Sequence, residues 1–508
     1  MVLGDIIRKS ACLHGEREAV WFKGKSVSYN ELDKKSDALA CGVIRCGIKK
    51  GERVALLYEN SIDYATAFFA ITKAGGVIVA LSAELSSENL CELINHCEAS
   101  ALIIQNRYIN KFIDIHDKCE TLKFILCGDQ PDFKFDKLPV YTIKQFCDDD
   151  HPASVPIVRM IDIDLAAIVY TSGSTGKPKG VMLSHLNLIS NTRSIVEYLN
   201  LTKDDRIMAV LPFSYVYGTT LLLTHLYCGG TVLIDNGFSY PNKVLENMQT
   251  LKATGFAGVP STYMILLSKS ILADIKFPYL RYVTQAGGSL PAELQKQVLQ
   301  KFSPAKFFVM YGATELSPRL TYIPPEKLEK KWGSIGIAIP NCEAYISDND
   351  GNAMMPFTEG EIVGRGSNVM MGYWKNPQAT AEVIRSGVYF TGDRGYADEE
   401  GFLYVSGRKD DMLKVGGKKV SAREIEDAVA SLSCVQEAAV IGVSHPVLGQ
   451  AAKAFVVLKP AFIHIEDDIK MMLDKKLPRY KLPSQICIVS NLPKNSSGKI
   501  MRKELEKM

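Results

Sequence analysis

Short apolar runs alternate with stretches of helical period along most of the chain. Arg53–Tyr58 (RVALLY) reads as a buried strand, Ser61–Ala74 as the helix after it, and Val77–Leu81 as the next strand. Ala101–Gln105, Phe124–Cys127, Ala166–Thr171, Arg206–Leu211, Thr231–Ile234, Gly255–Val259 and Phe307–Tyr311 repeat the theme. Apolar strands that alternate with helices predict parallel sheets covered on both faces. No internal repeat or low-complexity segment interrupts the pattern.

The pattern changes near Glu361. The strands shorten, and Gly364, Gly366, Gly372, Gly392, Gly395, Gly401 and Gly407 are expected to mark turns. A smaller, more antiparallel β region over 361–407 is expected. Gly407-Arg408-Lys409-Asp410-Asp411 is a polar break, and a compact βα pattern follows to Met508. The fold expected is α/β: a large N-terminal domain, 1–407, of stacked αβ sheets plus that β region, and a small α+β C-terminal domain, 408–508.

The 508 residues are too many for one ordinary core, in keeping with two domains. The net charge is only +3, with both signs mixed along the chain, so no nucleic-acid partner is expected. The twelve cysteines contain no Cys-x-x-Cys pair, which fits neither a zinc site nor a disulfide framework. They are expected to be free thiols in a reducing compartment. The N-terminus lacks an apolar run after a basic start, and the longest apolar stretch, Phe68–Leu81, is broken by Lys73. No membrane span is expected, and the cytoplasm is the expected location.

The strongest chemical signal is Tyr170-Thr171-Ser172-Gly173-Ser174-Thr175-Gly176-Lys177-Pro178-Lys179-Gly180-Val181, directly after a buried strand. Glycines let the backbone turn its N–H groups inward to make an anion nest. Hydroxyls add donors, and Lys177 and Lys179 add charge for terminal phosphates. A plain flexible loop would not need that placement. A Walker-type loop needs Gly where Thr171 stands and Ser or Thr where Pro178 stands, so that reading fails at both ends.

Four further motifs follow in order: Val309-Met310-Tyr311-Gly312-Ala313-Thr314-Glu315, Tyr389-Phe390-Thr391-Gly392-Asp393, Gly407-Arg408-Lys409-Asp410-Asp411, and Leu492-Pro493-Lys494-Asn495-Ser496-Ser497-Gly498-Lys499-Ile500. With the phosphate loop they resemble the adenylate-forming superfamily of acyl- and aryl-CoA ligases, luciferases and adenylation domains. The resemblance runs from Ser28-Tyr29-Asn30-Glu31-Leu32 to Leu505. It implies that ATP and a carboxylic acid form an acyl-adenylate with release of pyrophosphate, and that the acyl group then passes to a thiol. It further implies that Thr171 to Lys177 and Lys179 cradle the phosphates and that Gly312 lies in the nucleotide site. Tyr311 would stack on adenine, Thr314 would donate to the α-phosphate, and Glu315 would ligate Mg2+. Asp393 and Arg408 would bind the ribose, and Lys499 would be the catalytic ammonium. The small domain would be mobile, pivoting at Asp410 between an orientation that uses Lys499 and one that presents Gly416 and Gly417 to a thiol tunnel. In isolation Asp393 is as well read as a turn residue, Glu315 as a helix N-terminal acid, and Tyr311 as core.

The acyl pocket is expected around Tyr215, Val216 and Tyr217, with Gly258, Gly287 and Gly288 as further lining; core packing and strand-end turns explain the same residues. No acid stands near Val216 to hold a substrate ammonium, so an α-amino acid is disfavoured. The acceptor is coenzyme A or the phosphopantetheine arm of a carrier protein in trans. Lys414, Lys418, Lys419, Lys475, Lys476 and Arg479 are candidates for the CoA phosphates, and a solvated basic face explains them equally well. A non-catalytic ligand-binding homologue would be expected to lack at least one of Lys499, Glu315, Asp393 and Arg408, and all four are present.

Overall fold

The computed structural model describes residues 1–130, 135, 138–147, 158–172, 178–408, 412–415, 418–446, 448–459, 462, 466–494 and 500–508. Among them the strands form three sheets, of fourteen, eight and five strands. The eight-stranded sheet holds Arg53–Leu57, Val77–Ala80, Ala99–Ile104, Phe124–Cys127 and Val140–Thr142, all parallel, and Leu165–Ser172 parallel to Val77–Ala80. The fourteen-stranded sheet contains a second parallel run: Thr231–Ile234, Arg206–Ala209, Gly255–Gly258, Tyr282–Gln285 and Lys306–Tyr311 are successive neighbours. The apolar runs predict all of these strands except Val140–Thr142 and Tyr282–Gln285.

Two helices are buried almost all round, as a helix packed between layers must be. Ile62–Lys73 buries every residue from Tyr64 to Lys73, and Val216–Cys228 buries every residue from Val216 to Leu226. Ser61 caps the first by accepting from the Tyr64 amide at 3.0 Å. The charge that breaks the Phe68–Leu81 stretch is accommodated in the interior. Lys73 Nζ lies 2.5 Å from Asp33 Oδ1 and 2.6 Å from Asp37 Oδ1, and it also donates to Ser36 Oγ. That ties Ile62–Lys73 to the helix Tyr29–Arg45. Ser28 begins that helix with a capping box to Glu31, which gives the Ser28–Leu32 motif a structural purpose.

The antiparallel region begins at Thr321, well before the expected Glu361. Thr321–Tyr322, Ser334–Ala338, Cys342–Ser347, Gly360–Gly366, Val388–Ala397 and Leu403–Arg408 extend the fourteen-stranded sheet. The early strands carry no long apolar run: Thr321–Tyr322 has two residues, Ser334–Ala338 is interrupted by Gly336, and Cys342–Ser347 is half-buried or exposed over its first four residues. Six of the seven glycines expected at turns lie in strands instead: Gly364, Gly366, Gly372, Gly392, Gly395 and Gly407. At Gly395 a Cβ would stand 2.0 Å from the Tyr404 carbonyl oxygen, so the cross-strand approach itself excludes a side chain.

The chain enters the five-stranded sheet between Arg408 and Met412. That sheet pairs Val435–His445 with Gly449–Leu458 and packs the helices Ala422–Ala430 and Glu466–Asp474 on its own core. Arg423 of the first helix donates to Ser289 Oγ at 2.7 Å, beside Gly287 and Gly288. No helix among the described residues is long and apolar enough to cross a membrane.

Candidate active site

Parallel strands present their carboxyl ends on one side, and the crevice outside those ends is where open α/β sheets bind ligands. Here four neighbouring strands end in candidate segments. Arg206–Ala209 leads to Tyr215, Val216 and Tyr217 at the start of a helix; Gly258 closes its strand. Gly287 and Gly288 follow Tyr282–Gln285, and Gly312 to Glu315 follow Lys306–Tyr311. Residues distant in sequence thus share one edge of one sheet.

The phosphate loop sits elsewhere, between the antiparallel strands Leu165–Ser172 and Pro178–Ser184 of the other sheet, rather than between a strand and a helix. Thr171 is in register with Lys179 and Ser172 with Pro178. Gly173, Ser174, Thr175, Gly176 and Lys177 lie outside the described residues, and of Ser172 only the backbone is described.

A two-residue strand, Gly372–Tyr373, brings the two sheets together. It pairs with Met182 and Val181 on the outer edge of the loop's return strand. Tyr373 then donates from its hydroxyl to Glu315 Oε1 at 2.8 Å, and Lys179 Nζ lies 5.0 Å from the centre of the same ring. Burial raises the Tyr373 phenol far above its ordinary range, and the Glu315 charge adds to the shift. The same two causes, in the same order, hold the buried Tyr389 hydroxyl protonated. Glu315 therefore keeps one oxygen held by a neutral donor. Among the described residues no group of three or more His, Cys, Asp or Glu could hold a metal by itself. One carboxylate does suit Mg2+ that arrives with phosphate oxygens and water as its other ligands.

Tyr311 and Asp393, from motifs far apart in sequence, meet directly: the Tyr311 hydroxyl donates to Asp393 Oδ2. Asp393 is 7% exposed and stands opposite Arg408 in the ladder between Val388–Ala397 and Leu403–Arg408. Of Arg408 only the backbone is described. The Asp393 backbone is fixed by donation of its amide to Thr391 Oγ1 at 3.0 Å, and Glu361 takes the Gly392 amide at 2.9 Å.

The Thr314–Leu316 turn is pinned from below by two asparagines. Asn191 Nδ2 and Asn368 Nδ2 each donate to the carbonyls of both Leu316 and Arg319, at 2.8 to 3.2 Å. Gly312 is set by close approach, since a Cβ there would stand 1.9 Å from the Pro318 carbonyl oxygen. Gly287 has φ +87°, which favours glycine for backbone reasons alone. Gly258 is closed in by Thr262 and Tyr263, each 2.9 Å from where its Cβ would be.

Tyr215 caps the helix that starts at Val216. Val216 and Tyr217 are buried, and Tyr217 pairs its hydroxyl with Thr284 Oγ1 at 2.9 Å. Lys499, Asp410, Gly416 and Gly417 lie outside the described residues. Three residues with no assigned part in the sequence reading stand at the site: Tyr373, Asn191 and Asn368. No local signal marks the asparagines. Tyr373 follows Gly372 in a stretch that reads only as strand.

The AMP-binding enzyme family matches residues 7–374, and the AMP-binding enzyme C-terminal domain matches residues 424–499. A long-chain-fatty-acid–CoA ligase of Bacillus subtilis (strain 168) is 30% identical over 99% of this chain and 94% of its own length. A 2-succinylbenzoate–CoA ligase of Bacillus cereus (strain AH820) is 31% identical over 99% and 98%. The crystal structure of an anthranilate CoA ligase in complex with anthranoyl-AMP superposes with a TM-score of 0.91 at 25% identity, covering 100% of this chain and 97% of that one. With both family domains matched in order and relatives similar over nearly their whole length, the chain belongs to the AMP-binding enzyme family of adenylate-forming enzymes.

Proposed function

We propose that this protein is an AMP-forming carboxylic acid–CoA ligase. The observation that carries the reading is the convergence of Tyr311, Glu315, Tyr373, Asp393 and the phosphate-loop strands at one edge between two sheets. In the first half-reaction a carboxylate oxygen attacks the α-phosphorus of ATP. A P–O bond to the acid forms, the bond to the β-phosphate oxygen breaks, and pyrophosphate leaves. In the second, a thiolate attacks the acyl carbon, the thioester forms, and AMP leaves with the electron pair of the C–O bond.

Such chemistry is mainly positioning and charge neutralisation. Thr171 and Lys179 flank the β- and γ-phosphates together with Ser172 to Lys177. Tyr311 and Asp393, with Arg408, hold the nucleoside. Thr314 donates to the α-phosphate. Glu315, oriented by Tyr373, is the protein ligand for nucleotide-bound Mg2+, which supplies charge neutralisation at the phosphates. Lys499 delivers an ammonium to the carboxylate and α-phosphate, and the small domain then turns about Asp410 to offer Gly416 and Gly417 to the thiol. The acid lies along Tyr215, Val216 and Tyr217, with Gly258, Gly287 and Gly288 opposite. Coenzyme A is favoured over a carrier protein because the relatives described above are named as CoA ligases. Twelve free cysteines suit a reducing cytoplasm.

The test is AMP and pyrophosphate release from ATP and Mg2+ with fatty, aryl and amino acids, each with and without CoA. Turnover that requires one class of acid and is driven by CoA is expected. Pyrophosphate exchange without any acyl-CoA would replace CoA with a carrier protein. Nucleotide binding with silence across the panel would overturn the ligase reading.

A further inference from the structure

The chain leaves the strand Arg206–Ala209 through Val210, Leu211 and Pro212 and reaches the helix that starts at Val216. Leu211 and Phe213 are buried beyond the end of the ladder. Buried N–H and C=O groups there need partners from elsewhere. Asn60 supplies two. Its Nδ2 donates to the Leu211 carbonyl at 2.8 Å, and its Oδ1 accepts from the Phe213 amide at 2.7 Å. Pro212 stands between them and has no N–H to satisfy. A primary amide suits this task because it holds a donor and an acceptor side by side.

Asn60 is 4% exposed, and it comes from the other sheet. It follows the strand Arg53–Leu57 and directly precedes Ser61, which caps the helix Ile62–Lys73. The same cap fixes Tyr64, whose hydroxyl donates to the Phe213 carbonyl at 2.9 Å. Asn236 Nδ2 donates to the Asn60 carbonyl at 2.9 Å, so the main chain of the clamp is held as well.

The clamped segment is joined closely to the acyl residues. The Tyr215 amide donates to the Pro212 carbonyl at 3.1 Å, and Thr219 Oγ1 donates to the Phe213 carbonyl at 2.7 Å. At Gly218 a Cβ would stand 2.0 Å from the Pro212 carbonyl oxygen. The first turn of the helix thus rests on the backbone that Asn60 holds. A shift of Leu211–Phe213 passes to Tyr215, Val216 and Tyr217, whereas Tyr311, Glu315 and Asp393 are held by other partners.

We infer that Asn60 is a positioning residue for the carboxylic acid. It sets the acyl wall of one sheet from a helix cap that follows a strand of the other, and Tyr64 assists. The inference rests on the acyl-pocket assignment given under the proposed function. It separates the two substrates: loss of the clamp weakens the acid and spares ATP.

The experiment uses Asn60→Ala, Asn60→Leu and Tyr64→Phe with the panel of fatty, aryl and amino acids. Leucine keeps the volume and removes both bonds, so it separates the clamp from a cavity. Pyrophosphate release gives KM for acid and for ATP, ligand-induced thermal shift gives binding of each, and chemical denaturation gives stability. Both Asn60 variants are expected to raise the acid KM by about tenfold or more, since two buried hydrogen bonds are lost, with the ATP KM within about twofold. Tyr64→Phe should show the same split by a smaller factor, because Thr219 still serves the Phe213 carbonyl; it carries the test if the Asn60 variants do not fold. Lower stability or kcat, with the acid KM and the order of preferred acids unchanged, overturns the inference. So does an equal rise in both KM values. Wild type that binds an acid without releasing pyrophosphate refutes the ligase reading alone, and the same split is then read from binding. Turnover whose acid KM ignores Asn60 and Tyr64 refutes this inference alone. Wild type that neither binds nor turns over any acid refutes both.

Discussion

Tyr373 donates its hydroxyl to Glu315 Oε1 across the gap between two sheets. The bond ends on a charged acceptor, so its loss is expected to cost about 1.5–3 kcal/mol where Glu315 is used. Tyr373→Phe keeps the ring under Lys179 and removes only the donor. Its kcat for adenylate formation should fall by about tenfold or more, and the Mg2+ concentration for half-maximal rate should rise. Unchanged Mg2+ dependence would show that Tyr373 does not orient the metal ligand.

Lys499→Ala separates the two half-reactions. Adenylate formation from acid and ATP should slow by roughly 100-fold or more, as when a group that stabilises transition-state charge is lost. Thioester formation from supplied acyl-adenylate and CoA should be nearly unchanged. Equal loss in both steps would contradict an ammonium that acts in only one domain orientation.

Gly312→Ala places a methyl against the Pro318 carbonyl, where backbone rather than a side chain must move. The expected cost is about 1–3 kcal/mol of stability, with kcat reduced because the shift passes into Thr314 and Glu315. Chemical denaturation and steady-state rates report on each separately. A variant as stable and active as wild type would mean that this turn can relax freely.

Acid stability should depend on His185. Burial holds its imidazole down to about 4, from an ordinary value of 6.5, and the charges of Asp164 and Asp5 only partly oppose this. The Leu3 amide donates to Nδ1 at 3.1 Å, which requires that nitrogen unprotonated. Below pH 6.5 the unfolded chain takes up a proton that the folded chain refuses until about pH 4. Stability is therefore fully present above this window and is lost as the pH falls through it. Across the window wild type should lose on the order of 3 kcal/mol more than His185→Gln. Parallel denaturation curves for the two proteins would place the acid sensitivity elsewhere.

Most parallel strands were legible because each is a largely apolar run, and burial on both faces demands that; Tyr282–Gln285 was missed because its four buried residues include the polar Thr284 and Gln285. Cys342–Ser347 was not legible either, because it is half-exposed along most of its length and carries no such run. The motif residues Tyr311, Glu315 and Asp393 were legible through resemblance, but their partners were not. Tyr373 reaches Glu315 only because two residues of ladder set it beside Val181, and Asn191 reaches Leu316 from a helix more than a hundred residues away.

The strand Gly372–Tyr373 has a second effect. With Met371 and Trp374 donating to the carbonyls of Met182 and Gly180, it covers the outer edge of the return strand next to the glycine loop. An exposed edge there would be a template on which another chain could add a strand. The short ladder that sets Tyr373 against Glu315 thus also takes up backbone groups of the return strand at Gly180 and Met182 that would otherwise be open to strand addition.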